Sequence, residues 1–585
     1  MTAPLSPAPP VLAVRPRWLA AAPADPQIVA ALASDLRLPE GVARLLVRRG
    51  YSDAASARAF LRPSRTHVHS PTLLAGMAEA VDRLIAARDR SETILVHGDY
   101  DVDGICATAL LVRALAMMGV RAVPFVPHRL HDGYDFGTPG IAAARAAGAA
   151  LVITVDCGVV AHGPIRQSAA EGVDVIVTDH HTPGPALPSA HAVVNPNRKD
   201  CSYPEKSLCG AAIAFKLVEA LAREVGFPED RLSSFLDLVA IATVADLAPL
   251  TAENRALVRW GLAVLARTPN AGLRALIGTC GLSDRGPITA GQIGYVLAPR
   301  LNAVGRMGDA MRGVRLLLTD DEREAHRLAT EMEQENGRRR DLDEQTLSDA
   351  LRMLEQDFDP ERDWGVVLAS DRWHPGVIGI VASRVVERIH RPTVLISLGS
   401  EEGKGSGRSI VGFHLQAAFV ECNDLLLRYG GHRAAAGCSI RPSQVGAFRN
   451  AFNEVARRRL EWDALTPTLQ PDDEISIADA NLELLGLVRH FAPFGIGNPT
   501  PIFTAHRVGV AGKPRIVGKD SLKLTLVEDG VRLEGIGFGM ADRLPECSNG
   551  RIDVAFRLEE NGWRGRYGTR APTVQARLVD LRPAG

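Results

Sequence analysis

A histidine and three aspartates fall within seven residues of one another in His97-Gly98-Asp99-Tyr100-Asp101-Val102-Asp103. Imidazole nitrogens and carboxylate oxygens are ligands for divalent cations. His97, Asp101 and Asp103 converge if the loop is short, and Gly98 and Gly104 allow the backbone angles that this requires. An aspartate just before a helix also serves as its N-cap, and Asp103 occupies that position for a helix expected from Ile105. One cap uses one aspartate, so the group exceeds what capping needs. Three further acidic or imidazole clusters occur downstream: Asp156-Cys157-Gly158, Asp179-His180-His181 and Ala245-Asp246.

These groups can act together only if the fold gathers them. Short apolar runs at 93–96, 120–126, 151–155, 173–177 and 192–194 alternate with helical stretches such as 105–118, 140–147 and 164–171. That alternation predicts a mainly parallel sheet with helices on both faces. The first, third and fourth runs each end in a cluster, and Asp246 follows another apolar segment, 235–244. Ligands of open parallel sheets bind at the carboxyl ends of the strands. Taken singly, each cluster has a structural role as turn or cap; taken together they predict a metal-dependent active site.

The bulk numbers set bounds. A chain of 585 residues exceeds one hydrophobic core and predicts roughly three or four domains. Hydrophobic residues at 46% and charged residues at 23% describe a globular protein. The net charge of -1 gives no global polycation, so any nucleic-acid surface is a local patch or lies beside metal ions. Eight scattered cysteines without a Cys-x-x-Cys pair argue for a reducing compartment and against a zinc ribbon. The sequence shows no signal peptide and no apolar run near ~20 residues, so the cytoplasm is the expected location and no membrane partner is expected.

Residues 1–24, rich in Pro and Ala, are expected to be disordered, and 25–61 carry a helical apolar pattern. Arg129 and Tyr134 follow the second run, where an arginine can fork onto phosphate and a tyrosine can stack on a base. In Pro299-Arg300-Leu301-Asn302-Ala303-Val304-Gly305-Arg306-Met307, Arg300, Asn302 and Arg306 can reach phosphate oxygens or simply end a helix. A long charged helix over 320–356 predicts a bridge between domains. Beyond it, Ser370, Arg372 and His374 sit at a strand-to-helix junction suited to anions. Two Gly-rich stretches, 405–409 with Ser406 and Arg408 and 430–437 with His432, are expected to be loops serving the same purpose. Five candidate strands, 504–510, 523–528, 531–538, 552–558 and 573–581, predict an OB-type barrel. Lys513, Arg515, Lys519, Lys523, Arg564, Arg566 and Arg570 are its candidate basic groups, and Phe538, Trp563 and Tyr567 its candidate stacking platforms.

The motifs Asp99-Tyr100-Asp101-Val102-Asp103-Gly104, Val155-Asp156-Cys157-Gly158 and Asp179-His180-His181 resemble the DHH phosphoesterase superfamily, and within it the RecJ-type single-stranded-DNA exonucleases. The resemblance runs from Trp18 into the C-terminal region. It implies an α/β fold with a parallel-sheet DHH domain, a long bridging helix, a smaller α/β DHH-associated domain and a C-terminal OB-like β-barrel. The expected division is 1–75, 76–319, 320–358, 359–460 and 461–585. It further implies two divalent cations, with His97 and Asp101 on the first, Asp103, His180 and Asp246 on the second, and Asp156 bridging. His181 would lie near the scissile phosphate, and Asp99 and Asp179 would be supporting or weaker ligands. A pair of ions about 3.5–4 Å apart needs such a shared carboxylate. Imidazole ligands favour Mn²⁺, with Mg²⁺ as the alternative.

The same resemblance implies that Arg129, Tyr134, Arg300, Asn302, Arg306, Ser370, Arg372, His374, Ser406, Arg408 and His432 engage DNA. Position 135 is Asp where the family often has Gly. The implied activity is 5′→3′ degradation of single-stranded DNA in recombination and repair, by a monomer whose partners are a single-stranded-DNA-binding protein and a RecQ-type helicase. Two alternatives remain open at this point: a DHH hydrolase of short oligonucleotides or cyclic dinucleotides, and a non-catalytic DHH scaffold in replication.

Overall fold

The computed structural model describes residues 14–129, 131–283, 286–547, 550–561 and 573–585. Trp563, Arg564, Arg566, Tyr567 and Arg570 lie outside the described residues. The chain forms two compact units, one of 55–337 with 491–500, the other of 1–54, 338–490 and 501–585.

The first unit is built on five parallel strands in the order Ala122–Phe125, Thr93–Gly98, Ala149–Val155, Asp174–Thr178, Ala192–Val194. Both faces of the sheet are covered, which is why its strands read as continuous apolar runs. Val96, Ile153 and Ile176 pack into a core with the helices Val102–Met117, Gly210–Glu224 and Leu236–Ala245. Leu95, Val152 and Val177 point the other way, onto Ile141, Ala144 and Ile165 of Thr138–Ala147 and His162–Ala170. Successive strand residues serve opposite faces, as the pleat dictates.

Two local expectations are corrected here. The segment 235–244 is helical from Leu236 to Ala245, so Asp246 stands at a helix C-terminus and not at a strand end. Its residues are apolar on every side because neighbouring helices enclose it, a pattern that does not separate helix from strand. The cap of Val102–Met117 is Asp101, whose Oδ1 accepts from the backbone of Asp103 and Gly104 at 2.9 and 3.1 Å. The helix starts three residues earlier than expected, and Asp103 does not serve as its cap.

The segment 491–500, expected to belong with the barrel, groups with the first unit. The fully buried guanidinium of Arg255 needs carbonyl acceptors, and Phe60 O and Ala492 O accept from it at 2.8 and 2.9 Å. Leu250 N donates to Ile496 O at 2.7 Å.

In the second unit a five-stranded sheet runs Arg428–Gly431, Ala435–Ile440, Gly403–Arg408, Thr393–Ser397, Val366–Ser370, with only the last pair parallel. Both Gly-rich stretches expected as loops are therefore mainly strand. The reason is close packing: a Cβ at Gly405 would meet Cys438 Sγ at 2.5 Å, and one at Gly407 would meet Leu415 Cδ2 at 2.8 Å. Phe503–Val510, Arg551–Glu560, Val574–Pro583, Val531–Gly537 and Ser521–Glu528 pair in that order. Gly509 and Val510 pair back onto Val527 and Leu526, which closes the expected five-stranded barrel.

Residues 14–24 contradict the expected disorder. Arg17–Trp18 pairs with Thr468–Leu469 in parallel, Trp18 Nε1 donates to Asp580 Oδ2 at 2.6 Å, and Arg582 lies 4.5 Å from the indole centroid. An indole offers large apolar area and one donor, and both find partners here. Glu322–Asp357 is one continuous helix through Gly337. Among the described residues no helix is long and apolar enough to cross a membrane.

Candidate metal centre

The parallel strands deliver their C-terminal residues to one edge. Gly98 pairs with Val155 and Val155 with Thr178, so His97, Asp99, Asp156 and Asp179 emerge side by side. The metal loop then turns sharply into its helix. A Cβ at Gly104 would lie 2.3 Å from Asp99 O, so the turn closes only with glycine.

Among the described residues, three sets each have ligand atoms within 4.8 Å of one another: Asp103, His180 and Asp246; Asp99, Asp101 and Asp156; and Asp156, His180 and His181. His180 Nε2 is 3.0 Å from Asp156 Oδ1 and 3.9 Å from Asp103 Oδ2, while its Nδ1 is 3.8 Å from Asp246 Oδ2. The predicted residues are thus gathered, although helix 236–245, not a strand, brings Asp246. His97 lies outside these sets. Its ring is 1% exposed between Phe125 and Phe136, with Nδ1 3.6 Å from Cys157 Sγ. Nε2 of His97 and Oδ1 of Asp99 are buried with no hydrogen-bond partner among the described residues. Leaving such atoms unpaired is costly. A divalent cation would satisfy them, so the donor set fits one.

Electrostatics give the same result. Burial, followed by the charges of Asp103, Asp101, Asp99 and Asp246, pushes the Asp156 carboxyl well above its usual range. Burial and the neighbouring aspartates raise Asp99 and Asp103 as well and push Asp246 up to about 8. Burial holds His97 neutral, its pKa lowered to about 4, and lowers His180. So many crowded carboxylates and neutral imidazoles await positive charge.

Asp179 plays a different part. Its Oδ1 accepts from His181 Nδ1 at 2.8 Å and from His181 N at 3.0 Å, and its Oδ2 from Val159 N at 2.9 Å. Burial pulls the His181 pKa down, but the bond to Asp179 outweighs it and raises the ring to about 9. Tyr134 OH lies 3.4 Å from His181 Nε2. Arg129 sits 4.9 Å from the Tyr100 centroid, and Tyr100 meets Tyr134 edge-on at 6.2 Å. Arg300 pairs with Glu333 and donates to Val296 O, so its guanidinium is already engaged. Asn302 and Arg306 share its helix, Ala298–Met307, which approaches the metal loop where Gly305 packs on Tyr100 O.

Several positioning residues escaped the sequence reading. The first turn of Gly210–Glu224 holds Asp103: Gly210 N donates to Oδ2 at 2.6 Å and Ala211 N to Oδ1 at 2.7 Å, an anion at a helix N-terminus. Asn195 Nδ2 donates to His181 O and Asn197 Nδ2 to His180 O, at 2.9 and 2.7 Å. The Asn-Pro-Asn after the 192–194 run was the available signal; for Gly210 there was none.

In the second unit, Ser406 Oγ accepts from Arg408 Nη1 at 3.1 Å, and Gly379 of helix Ile378–Ile389 packs against both side chains. Arg372 pairs with Asp349 at 3.3 Å, Ser370 Oγ accepts from Arg372 N, and His374 Nδ1 accepts from Gly376 N. His432 is exposed on the turn between Arg428–Gly431 and Ala435–Ile440.

Comparison with known proteins agrees with this architecture. The DHH family N-terminal domain matches residues 93–243, the DHHA1 domain 364–458 and the RecJ OB domain 471–571. The chain is 36% identical to the single-stranded-DNA-specific exonuclease RecJ of Bacillus subtilis over 98% of its own length and 73% of that protein. It is 37% identical to RecJ of Escherichia coli, covering 84% of this chain and 88% of that one. The crystal structure of RecJ with Mn²⁺ from Thermus thermophilus superposes with a TM-score of 0.82 at 33% identity, covering 97% of this chain and 80% of that one. The Mg²⁺ complex of that protein matches with a TM-score of 0.77 at 31% identity, covering 97% of this chain and 79% of that one. Fold and site together define a DHH-type chain of catalytic, DHHA1 and OB modules. More narrowly, the chain belongs to the RecJ family.

Proposed function

We propose that this chain is a single-stranded-DNA-specific exonuclease that hydrolyses phosphodiesters with two divalent cations, working from the 5′ end toward the 3′ end in recombination and repair. The observation that carries the reading is the pair of neighbouring ligand sets, Asp103/His180/Asp246 and Asp99/Asp101/Asp156, in a chain whose relatives over most of its length are named single-stranded-DNA-specific exonucleases. Asp103, His180 and Asp246 would hold one ion and His97 and Asp101 the other, with Asp156 as a ligand available to both. Asp99, whose buried Oδ1 has no hydrogen-bond partner among the described residues, would join the His97 and Asp101 group. When bound, the ions supply Lewis-acid polarisation of the phosphate and an acidified water; Mn²⁺ is favoured by the imidazole ligands and Mg²⁺ is the alternative.

The protein's own groups orient the substrate. His181, fixed at Nδ1 by Asp179, offers Nε2 to the scissile phosphate beside Tyr134 OH. Arg129, Asn302 and Arg306 contribute positive or polar contacts on the same side, and Arg300 acts mainly by holding its helix. The DHH-associated residues Ser370, Arg372, His374, Ser406, Arg408 and His432 bind the strand and its 5′ end, and the barrel extends that grip. We assign 76–319 as catalytic, 320–358 as bridge, 359–460 as DHH-associated and 461–585, apart from 491–500, as OB-like. The protein acts in the cytoplasm as a monomer, beside a single-stranded-DNA-binding protein and a RecQ-type helicase.

The test is hydrolysis of 5′- and 3′-labelled single and double strands in Mn²⁺ and in Mg²⁺. The expected result is mononucleotide release from the 5′ end of the single strand. Hydrolysis of dinucleotides without attack on long strands would replace this reading with a short-oligonucleotide hydrolase, and no hydrolysis at all would leave a scaffold.

A further inference from the structure

Three consecutive residues, Tyr134, Asp135 and Phe136, each reach a different ligand-bearing element of the metal centre. Tyr134 OH lies 3.4 Å from Nε2 of His181. The Phe136 ring, 2% exposed, meets the His97 imidazole edge-on at 5.2 Å and 88°. Between them, Asp135 Oδ1 accepts from Gly158 N at 2.7 Å and from Phe136 N at 2.8 Å. Gly158 is two residues from Asp156, and both lie in the left-handed region, with φ of +105° and +63°. The turn that aims Asp156 is thus unusual, and one of its amides is held by a side chain from another loop.

Asp135 itself has φ +78°. A residue with a Cβ rarely adopts this angle, and a backbone held there is sustained by its surroundings, often where geometry serves function. Glycine would fit the angle without strain but would leave Gly158 N without this acceptor. The carboxylate is therefore what this position gains over the residue that the backbone alone would favour.

We propose that Asp135 is a positioning residue of the active site: its carboxylate fastens the Tyr134–Phe136 segment to the Asp156 turn, so that Tyr134, His97 and Asp156 are held as one unit. Through this link the segment that meets the substrate at Tyr134 also sets the aim of Asp156. The proposal deepens the nuclease reading and rests on it for the substrate, but the link itself is testable by metal binding alone.

The experiment compares Asp135→Gly, Asp135→Ala and Asp135→Asn in the full chain, with Mn²⁺ binding measured by calorimetry, turnover on a long single strand, and thermal melting. Groups that orient metal ligands typically change metal affinity or activity about 10–100-fold when lost. Asp135→Gly is expected to weaken Mn²⁺ binding and lower kcat by about tenfold while melting no lower than the parent, because the backbone strain is relieved. Asp135→Ala should show the same losses with a lower melting temperature. Asp135→Asn, which keeps an acceptor oxygen, should recover most of both. Parent-like Mn²⁺ affinity and kcat in Asp135→Gly would overturn the proposal, as would an Asn variant as impaired as the Ala variant. A parent protein that binds Mn²⁺ but degrades no DNA would instead sink the nuclease reading and leave the calorimetric comparison decisive for Asp135.

Discussion

Replacing Gly210 by alanine adds a single methyl group at a crowded point of the metal centre, against Asp156. The new Cβ would lie 2.6 Å from Asp156 Cβ and 3.0 Å from Asp156 Cγ, while Gly210 N must still donate to Asp103. Carbons in good contact sit about 3.5–4.0 Å apart, so Asp156 or the helix start has to retreat by about 1 Å. Misplacement of a catalytic group by that distance costs on the order of 100-fold in rate, and overpacking of this kind costs about 1–3 kcal/mol of stability. Gly163→Ala is the control, because a Cβ there meets nothing within 4 Å. Turnover on a labelled single strand, Mn²⁺ affinity by calorimetry and thermal melting are measured for both variants. Gly210→Ala should fold, bind Mn²⁺ more weakly and lose about two orders of magnitude in kcat, while Gly163→Ala stays at parent values. A folded Gly210→Ala with parent kcat and Mn²⁺ affinity would refute the claim that the helix 210–224 sets the spacing of Asp103 and Asp156.

Asp103→Ala and His180→Ala each remove a member of a ligand set, and Mn²⁺-dependent hydrolysis should be abolished in both; full activity in either would show the assignment to be wrong. Addition of Mn²⁺ to the metal-free protein at pH 7 should release about one proton or more, since Asp246 titrates near 8 and Asp99, Asp103 and Asp156 are raised by burial and mutual repulsion. A weakly buffered solution with a pH indicator reads this directly, and an unchanged signal upon binding would contradict the site electrostatics. Asp237 gives a separate pH dependence. Burial raises its carboxyl from 3.8 to about 6, so the folded state holds its proton more tightly than the unfolded state. Its penalty is absent below about pH 4, grows as pH rises toward about 6 and levels off at about 3 kcal/mol. Asp237→Asn should therefore lose less melting temperature than the parent between about pH 4.5 and pH 8, and equal losses would discount the shift.

The barrel and the parallel sheet were legible because their signals are local. Period-2 alternation marks strands such as Ser521–Glu528 with burial on one face, and unbroken apolar runs mark strands enclosed on both. The same rule failed over 236–245, where an all-round apolar segment suits either a central strand or a central helix, and only its packing on 102–117 and 210–224 decided. It failed again at 403–408, whose glycines read as a loop until facing side chains are seen to leave no room for a Cβ.

Residue types and their local pattern already specify the chemistry available here: which positions carry imidazole and carboxylate, their spacing at strand ends, and the class to which that spacing belongs. Ligand identity is a property of residue type, and strand-end placement follows from local periodicity. What aims those ligands emerges only in three dimensions. Gly210 before Asp103, Asp135 on the Asp156 turn, Asn195 and Asn197 behind the two histidines, and Asp101 as cap in place of Asp103 involve backbone amides and carbonyls. Every residue type but proline offers both, and only a fold can bring the right one to within hydrogen-bonding distance of a ligand.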